Sequence, residues 1–168
     1  MDILLVDGYN VIGAWDELKK IRDIDFAQAR EQLIGKLAEY QAYKGWRVIV
    51  VFDAHMVPGI EIKNVESRVE VIYTRENETA DERIEKMVKE LKNVKTRIYV
   101  ATSDYTEQWT IFSQGALRIS SRELLNEIKK IEKRINEDIK RHHTKQTRTK
   151  IPMNEEITRL FEKWRRGF

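Results

Sequence analysis

Short apolar runs alternate along this chain with segments in which apolar residues recur every three or four positions. The runs are Ile3–Val6, Val48–Phe52, Val69–Thr74, Arg97–Thr102 and a weaker Leu117–Ile119, rich in Val, Ile and Tyr. Strands interleaved with helices predict an α/β fold: a mainly parallel central sheet covered on both faces. Asp25 with Gln28 reads as a capping box before apolar Phe26, Ala29, Leu33, Leu37 and Tyr40, and Gly45 supplies the stop. Thr79 with Glu82 opens a second helix carrying Ile84, Met87, Val88 and Leu91 on one face. Asp104 with Glu107 opens a third, ending near Gly115, and Ser120 with Glu123 a fourth, whose Leu124, Ile128, Ile131 and Ile135 lead toward Arg141.

Beyond that point the pattern fails. Residues 142–151 read HHTKQTRTKI, polar and basic without periodicity, which predicts a loop or linker. Pro152 and Asn154 then introduce a short helix with Ile157, Leu160, Phe161 and Trp164 as an apolar stripe that docks on its own domain or on a partner. The expected division is a domain over residues 1–141 and a basic linker with a C-terminal amphipathic helix over 142–168.

Composition sharpens this picture in three ways. With 168 residues, 41% hydrophobic and 35% charged, the chain suits one domain with its own core. It contains no cysteine, which removes disulfides, thiol nucleophiles, thiolate zinc sites and iron–sulfur clusters. Charge is unevenly placed: residues 1–128 carry 18 Lys/Arg against 22 Asp/Glu, and residues 129–168 carry 13 against 6, so −4 and +7 make up the net +3. An acidic body with a basic extension suits a protein that gathers carboxylates and approaches a polyanion with its tail; a Lys-rich solvated helix face is the plain alternative. The apolar run before Asp7 is too short for a leader or a membrane span, so a cytoplasmic location without a membrane partner is expected.

In an open parallel sheet the working crevice lies beyond the carboxyl ends of the strands. Asp7 follows ILLV, Asp53 follows VIVVF, Asp104 follows YVATS, and Asp81 stands in the first turn of the helix after VEVIYT, so these four and Asn10 are expected at one rim. Crowded carboxylates repel unless protons or a cation intervene, and oxygen ligands without Cys or a His cluster suit Mg²⁺ or Mn²⁺. Such an ion supports in-line displacement at phosphate. Plain structural roles stay open for three of them: Asp104 as a helix cap, Asp81 as a favourable charge at a helix start, Asp53 as a turn residue. Asp7, before Gly-Tyr-Asn, has little local structural need.

Other signatures are missing. No Gly-Lys-Ser/Thr loop or GxGxxG follows the first strand, so a nucleotide cofactor is unsupported, and His55, His142 and His143 are too scattered for zinc. Tyr9, Trp15, Tyr105 and Trp109 either stack bases or pack in the core. A receiver-type phosphoacceptor needs a second acid where Gly8 stands and a Lys after the fifth strand; a haloacid-type phosphatase needs an Asp where Tyr9 stands. An RNA- or ribosome-binding module without activity keeps the basic tail and gives the acids no role.

Asp7-Gly-Tyr-Asn10 after the first strand, Thr79-Ala-Asp81-Glu82 opening a helix and Ala101-Thr-Ser-Asp104 after a later strand resemble the NYN-domain ribonucleases, most nearly their bacterial YacP-like branch within the PIN-like superfamily. The resemblance implies a PIN-like three-layer sandwich with a helical C-terminal extension, Mg²⁺ or Mn²⁺ dependence, and endonucleolytic cleavage of single-stranded RNA. It carries Asp7, Asp81 and Asp104 over as acidic metal positions, Asn10 as the signature amide of the catalytic set, and Asp53 less directly as a ligand. It further implies messenger RNA and the ribosome as partners, with Lys145, Arg148, Lys150, Arg159, Lys163, Arg165 and Arg166 available for phosphate contacts.

Overall fold

The computed structural model describes residues 1–53, 63–66, 68–103, 111–148, 163 and 165, with segments 63–66 and 143–148 described by backbone alone. In chain order its elements are β1 (Asp2–Asp7), α1 (Gly8–Ala14), α2 (Asp16–Ile24), α3 (Phe26–Lys44), β2 (Arg47–Phe52), β3 (Lys63–Glu66), β4 (Val69–Tyr73), α4 (Ala80–Leu91), β5 (Arg97–Ala101), β6 (Leu117–Ile119) and α5 (Ser121–Arg148). Two compact units are distinguished, Met1–Ile131 and Glu132–Phe168.

The first unit is built on a six-stranded sheet in the order β3-β4-β2-β1-β5-β6. Five strands run parallel, and β3 closes one edge antiparallel to β4. Central β1 sets Leu4 opposite Val48 of β2 and Tyr99 of β5. From β1 the chain winds outward through β2 and β4, then crosses to the far side of β1 for β5 and β6. The strand order therefore reverses between β1 and β5, which opens a crevice at their carboxyl ends.

Alternation along the strands divides the core between two faces. Ile3, Leu5, Ile49, Val51, Ile98 and Val100 cluster with Ile84 and Val88 of α4. Leu4, Val6, Val48 and Val50 alternate with these, are equally buried, and point to the other face, where α1 and α3 contact β2. The result is the expected three-layer α/β sandwich.

Helix starts follow the sequence signals. Asp25 Oδ1 accepts from the Ala27 and Gln28 N–H groups at 3.0 and 3.4 Å, Thr79 Oγ1 from Glu82 N–H at 3.2 Å, and Ser120 Oγ from Glu123 N–H at 3.1 Å. Gly45 ends α3 in the left-handed region at φ 70°, its N–H donating to Gln41 O at 2.8 Å.

Three departures from the sequence expectations have local causes. Helices α1 and α2 are unannounced, because α1 is only GYNVIGA, with two poor helix formers, and is stabilised by burying Val11 and Ile12. Phe26, assigned to the apolar stripe, is 37% exposed, since as the first residue of α3 it lies beside Tyr9 at the sheet edge. Residues 142–148, read as linker, continue α5 to Arg148. Lys, Gln and Arg are good helix formers, and no Gly or Pro interrupts a helix already nucleated upstream. In the second unit Lys163 and Arg165 are helical and exposed, and the rest of the expected C-terminal helix lies outside the described residues. No helix among the described residues is long and apolar enough to cross a membrane.

Candidate active site

Strand β1 delivers Asp7 to the carboxyl edge of the sheet, where its side chain is only 7% exposed. Asp53 follows β2 directly, and Asp81 is the second residue of α4, which starts at the same edge after β4. A cavity of about 510 Å³ is lined by Asp7, Tyr9, Asn10, Asp53, Thr79, Ala80 and Asp81. Three acids from three distant segments, with Asn10 among them, thus share one pocket. Asp104 lies outside the described residues, although it follows Ser103, the last described position after β5.

Asp81 stands in the first turn of α4, where its charge also suits the helix start, and a different residue caps that helix. Thr79 is the N-cap of α4 and takes the Glu82 N–H, while the Asp81 side chain lines the cavity. Asp53, given a turn role as its alternative, also faces that cavity.

Asn10 is engaged through its oxygen. Oδ1 accepts from the Ser103 backbone N–H at 2.7 Å and from Ser121 Oγ at 3.2 Å. Nearby, Trp15 Nε1 donates to Ser121 O at 2.7 Å. Trp15 is 1% exposed, so it is a core residue and no platform for bases. Tyr105 and Trp109 lie outside the described residues, as does His55.

Tyr9 forms the aromatic side of the pocket. Its ring stands edge-on to Phe26 at 5.9 Å and tilted on Phe52 at 5.1 Å, and Phe52 stacks on Tyr73 at 5.7 Å. Burial raises the Tyr9 phenol above its ordinary range; Arg30, whose Nη1 donates to the phenol oxygen at 3.1 Å, acts in the opposite sense. The phenol is therefore neutral near pH 7. Gly8 lets this wall close: a Cβ there would lie 2.4 Å from Phe52 Cε1.

The donors fit a hard divalent ion by type, being carboxylate oxygens with no sulfur or imidazole in the lining. Among the described residues no three carboxylate or imidazole side chains make a closed cage. Mg²⁺ is commonly held by one or two carboxylates together with water and substrate phosphates. Low exposure at Asp7 strengthens its attraction for a cation by excluding solvent.

A family model, the YacP-like NYN domain, matches residues 4–166. The chain belongs to the YacP-like NYN family. It is 60% identical over 167 residues to protein YacP of Bacillus subtilis (strain 168), covering 99% of this chain and 98% of that protein. The crystal structure of Rae1 (YacP) from Bacillus subtilis resembles it with a TM-score of 0.78 at 60% identity, over 99% of this chain and 96% of that one. The W164L mutant of that protein gives 0.77 at 57% identity with the same coverage. Membership of the YacP-like NYN family supports a nuclease-type, RNA-related function and the divalent-metal chemistry general among NYN and PIN-like nucleases. For the YacP-like NYN domain the receiver and haloacid readings therefore lapse.

Of the basic residues named from the sequence, Lys163 and Arg165 are exposed on helical backbone and Lys145 and Arg148 lie on α5, with side chains not described for the latter two. Lys150, Arg159 and Arg166 lie outside the described residues. Sequence reasoning missed Thr79 and Ala80 as lining, and Ser103 and Ser121 as partners of Asn10. The capping box at Thr79 was the one local signal; nothing local pairs Asn10 with a serine 111 positions away.

Proposed function

We propose that this protein is a cytoplasmic Mg²⁺- or Mn²⁺-dependent endoribonuclease that hydrolyses phosphodiester bonds of single-stranded RNA, with messenger RNA at the ribosome as its setting. The observation that carries the reading is the convergence of Asp7, Asp53 and Asp81 on one cavity. Asp7 and Asp81 would hold the ion, with Asp53 and, from the sequence, Asp104 completing the acidic set. A divalent ion there supplies a more acidic water and stabilises charge on the reacting phosphate. Asp7, set in a wall of apolar strand, would offer its carboxyl group to the ion in a solvent-poor position. Tyr9, neutral and flanked by Phe26, offers a face to an unpaired base.

The nuclease domain is assigned to residues 1–141, and the basic stretch 142–168, with Lys145, Arg148, Lys150, Arg159, Lys163, Arg165 and Arg166, to phosphate contact without sequence choice. The ribosomal setting rests on the family resemblance. The test is end-labelled RNA incubated with Mn²⁺, with and without chelator, using the wild type, Asp7→Asn and Asp81→Asn. Discrete internal cuts that vanish with chelator are expected, with each variant slower by about 100-fold or more, the scale for removing one preorganised charge. RNA bound but uncut by the wild type at every metal concentration would replace this reading with the inactive binding module.

A further inference from the structure

We propose that Asn10 is a positioning residue: its amide oxygen bridges the crevice between β1 and β5, and holds the site in shape without ligating the ion. An amide oxygen has two lone pairs. Here both are taken, one by the Ser103 N–H and one by the Ser121 hydroxyl. Ligation through the same oxygen would strip one of these donors, and Ser121 is fully buried, where a lost partner is not replaced by water.

The placement gives the bridge its effect. The β1–β5 ladder ends at Val6 opposite Ala101. Past that pair β1 turns into α1 and the β5 chain runs on, with Thr102 N–H held on the other side by Ile119 O at 3.1 Å. Asn10, one helical turn after Asp7, reaches back across the gap to Ser103. The same oxygen catches Ser121 at the start of α5, which Trp15 also grips through the Ser121 carbonyl. One side chain thereby ties α1, the exit of β5 and the start of α5 together beside Asp7, at the point where the strand order reverses.

The consequence for the ion rests on the nuclease reading above; the bridge itself does not, so the two are tested separately. Amide exchange of Ser103 would be followed by ¹⁵N NMR in the wild type, Asn10→Ala, Asn10→Asp and Ser121→Ala, and Mn²⁺ binding by calorimetry in the wild type and the two alanine variants. Asn10→Ala should speed Ser103 exchange at least about fivefold, as loss of a hydrogen bond implies, and Asn10→Asp, which keeps the acceptor, should restore protection. Ser121 does not line the cavity, so Ser121→Ala can reach the ion only through Asn10. It should weaken Mn²⁺ binding severalfold without lowering the melting temperature by more than a few degrees, and the double alanine variant should bind no worse than Asn10→Ala alone. Unchanged Ser103 exchange in Asn10→Ala overturns the bridge. Wild-type Mn²⁺ affinity in Ser121→Ala, with affinity lost in Asn10→Ala, makes Asn10 a ligand and overturns the proposal. Failure of the wild type to cut RNA, with Ser103 protection following the acceptor, removes the nuclease reading and leaves the bridge.

Discussion

Gly8 is required for the space it leaves, and Gly8→Ala should show it. Its backbone is not in the left-handed region, which among the described glycines only Gly45 and Gly115 occupy, so alanine meets no conformational penalty there. What it meets is Phe52: an added Cβ would stand 2.4 and 2.5 Å from two ring carbons. Ordinary contact starts about 1 Å farther out, so the ring or the start of α1 must shift by that much. Phe52 is fully buried, with Tyr9 on one side and Tyr73 on the other, and has no free direction. Overpacking of this kind costs about 1–3 kcal/mol, and the helix preference of alanine returns up to about 1 kcal/mol. A net loss of about 1–2 kcal/mol lowers the melting temperature by roughly 2–8 °C in a chain of this size. Activity should fall further than stability, because Phe52 precedes Asp53 and supports Tyr9. Gly35→Ala is the control: its Cβ meets nothing within 4 Å in the middle of α3, so it should stabilise by about 0.4–1 kcal/mol. Thermal melts followed by circular dichroism, with RNA cleavage on the same samples, decide the matter. If Gly8→Ala melts at or above the wild-type temperature, or if Phe52→Leu fails to offset its loss, the close approach is not what the motif glycine serves.

Truncation after Arg141 should weaken binding to long RNA more than cleavage of a short unstructured oligonucleotide, and should flatten the salt dependence by about 0.7 in log–log slope per lost single-strand phosphate contact; an unchanged slope shows that the tail makes no such contact. Saturating Mn²⁺ should raise the melting temperature, since a ligand at about 100 times its Kd adds about 2.7 kcal/mol, and Asp7→Asn should abolish most of that rise; a scan without a shift at millimolar metal refutes the ion site. Tyr40 is fully buried, donates to Glu127 Oε2 at 3.0 Å, and has its phenol pushed well above its ordinary value by burial and then by that carboxylate. Its contribution is therefore complete below the unfolded value of about 10 and is lost as pH climbs through the raised folded value, so stability should fall in strong alkali. Tyr40→Phe should flatten that fall and cost about 1–2 kcal/mol near neutrality; an alkaline limb unchanged by the substitution assigns the loss to other groups.

What the sequence disclosed and what it withheld divide along one physical line. Strands, caps and helix faces depend on residues a few positions apart, so Ile3–Val6, Val48–Phe52, the Asp25 cap and the Thr79 cap were all visible as patterns. The convergence of Asp7, Asp53 and Asp81 was visible for a related reason: a parallel sheet sends every strand end to one edge, and the rule needs no knowledge of which strands are neighbours. Contacts between side chains from remote segments have no such rule. Gly8 with Phe52, Tyr9 with Arg30 and Asn10 with Ser103 and Ser121 each require the strand order and register first. The short edge strand β3 was invisible because it is held by its pairing with β4, and the glycine-bearing α1 because burial of Val11 and Ile12 stabilises it against weak local preference.

The DGYN run carries both sides of that division within four residues. Read as a string it is one acid and one amide separated by two residues without a task. In the folded chain Asp7 faces the cavity, Gly8 admits the Phe52 ring, Tyr9 closes the wall with Arg30 behind it, and Asn10 spans the crevice. Each position is fixed by a different partner, and the constraint at Gly8 bears on function as well as packing. A receiver-type site needs an acid directly beside the first strand-end acid, and any side chain at position 8 meets the Phe52 ring where it stands. The aromatic packing that seals this pocket therefore leaves no room for that second acid unless Phe52 moves.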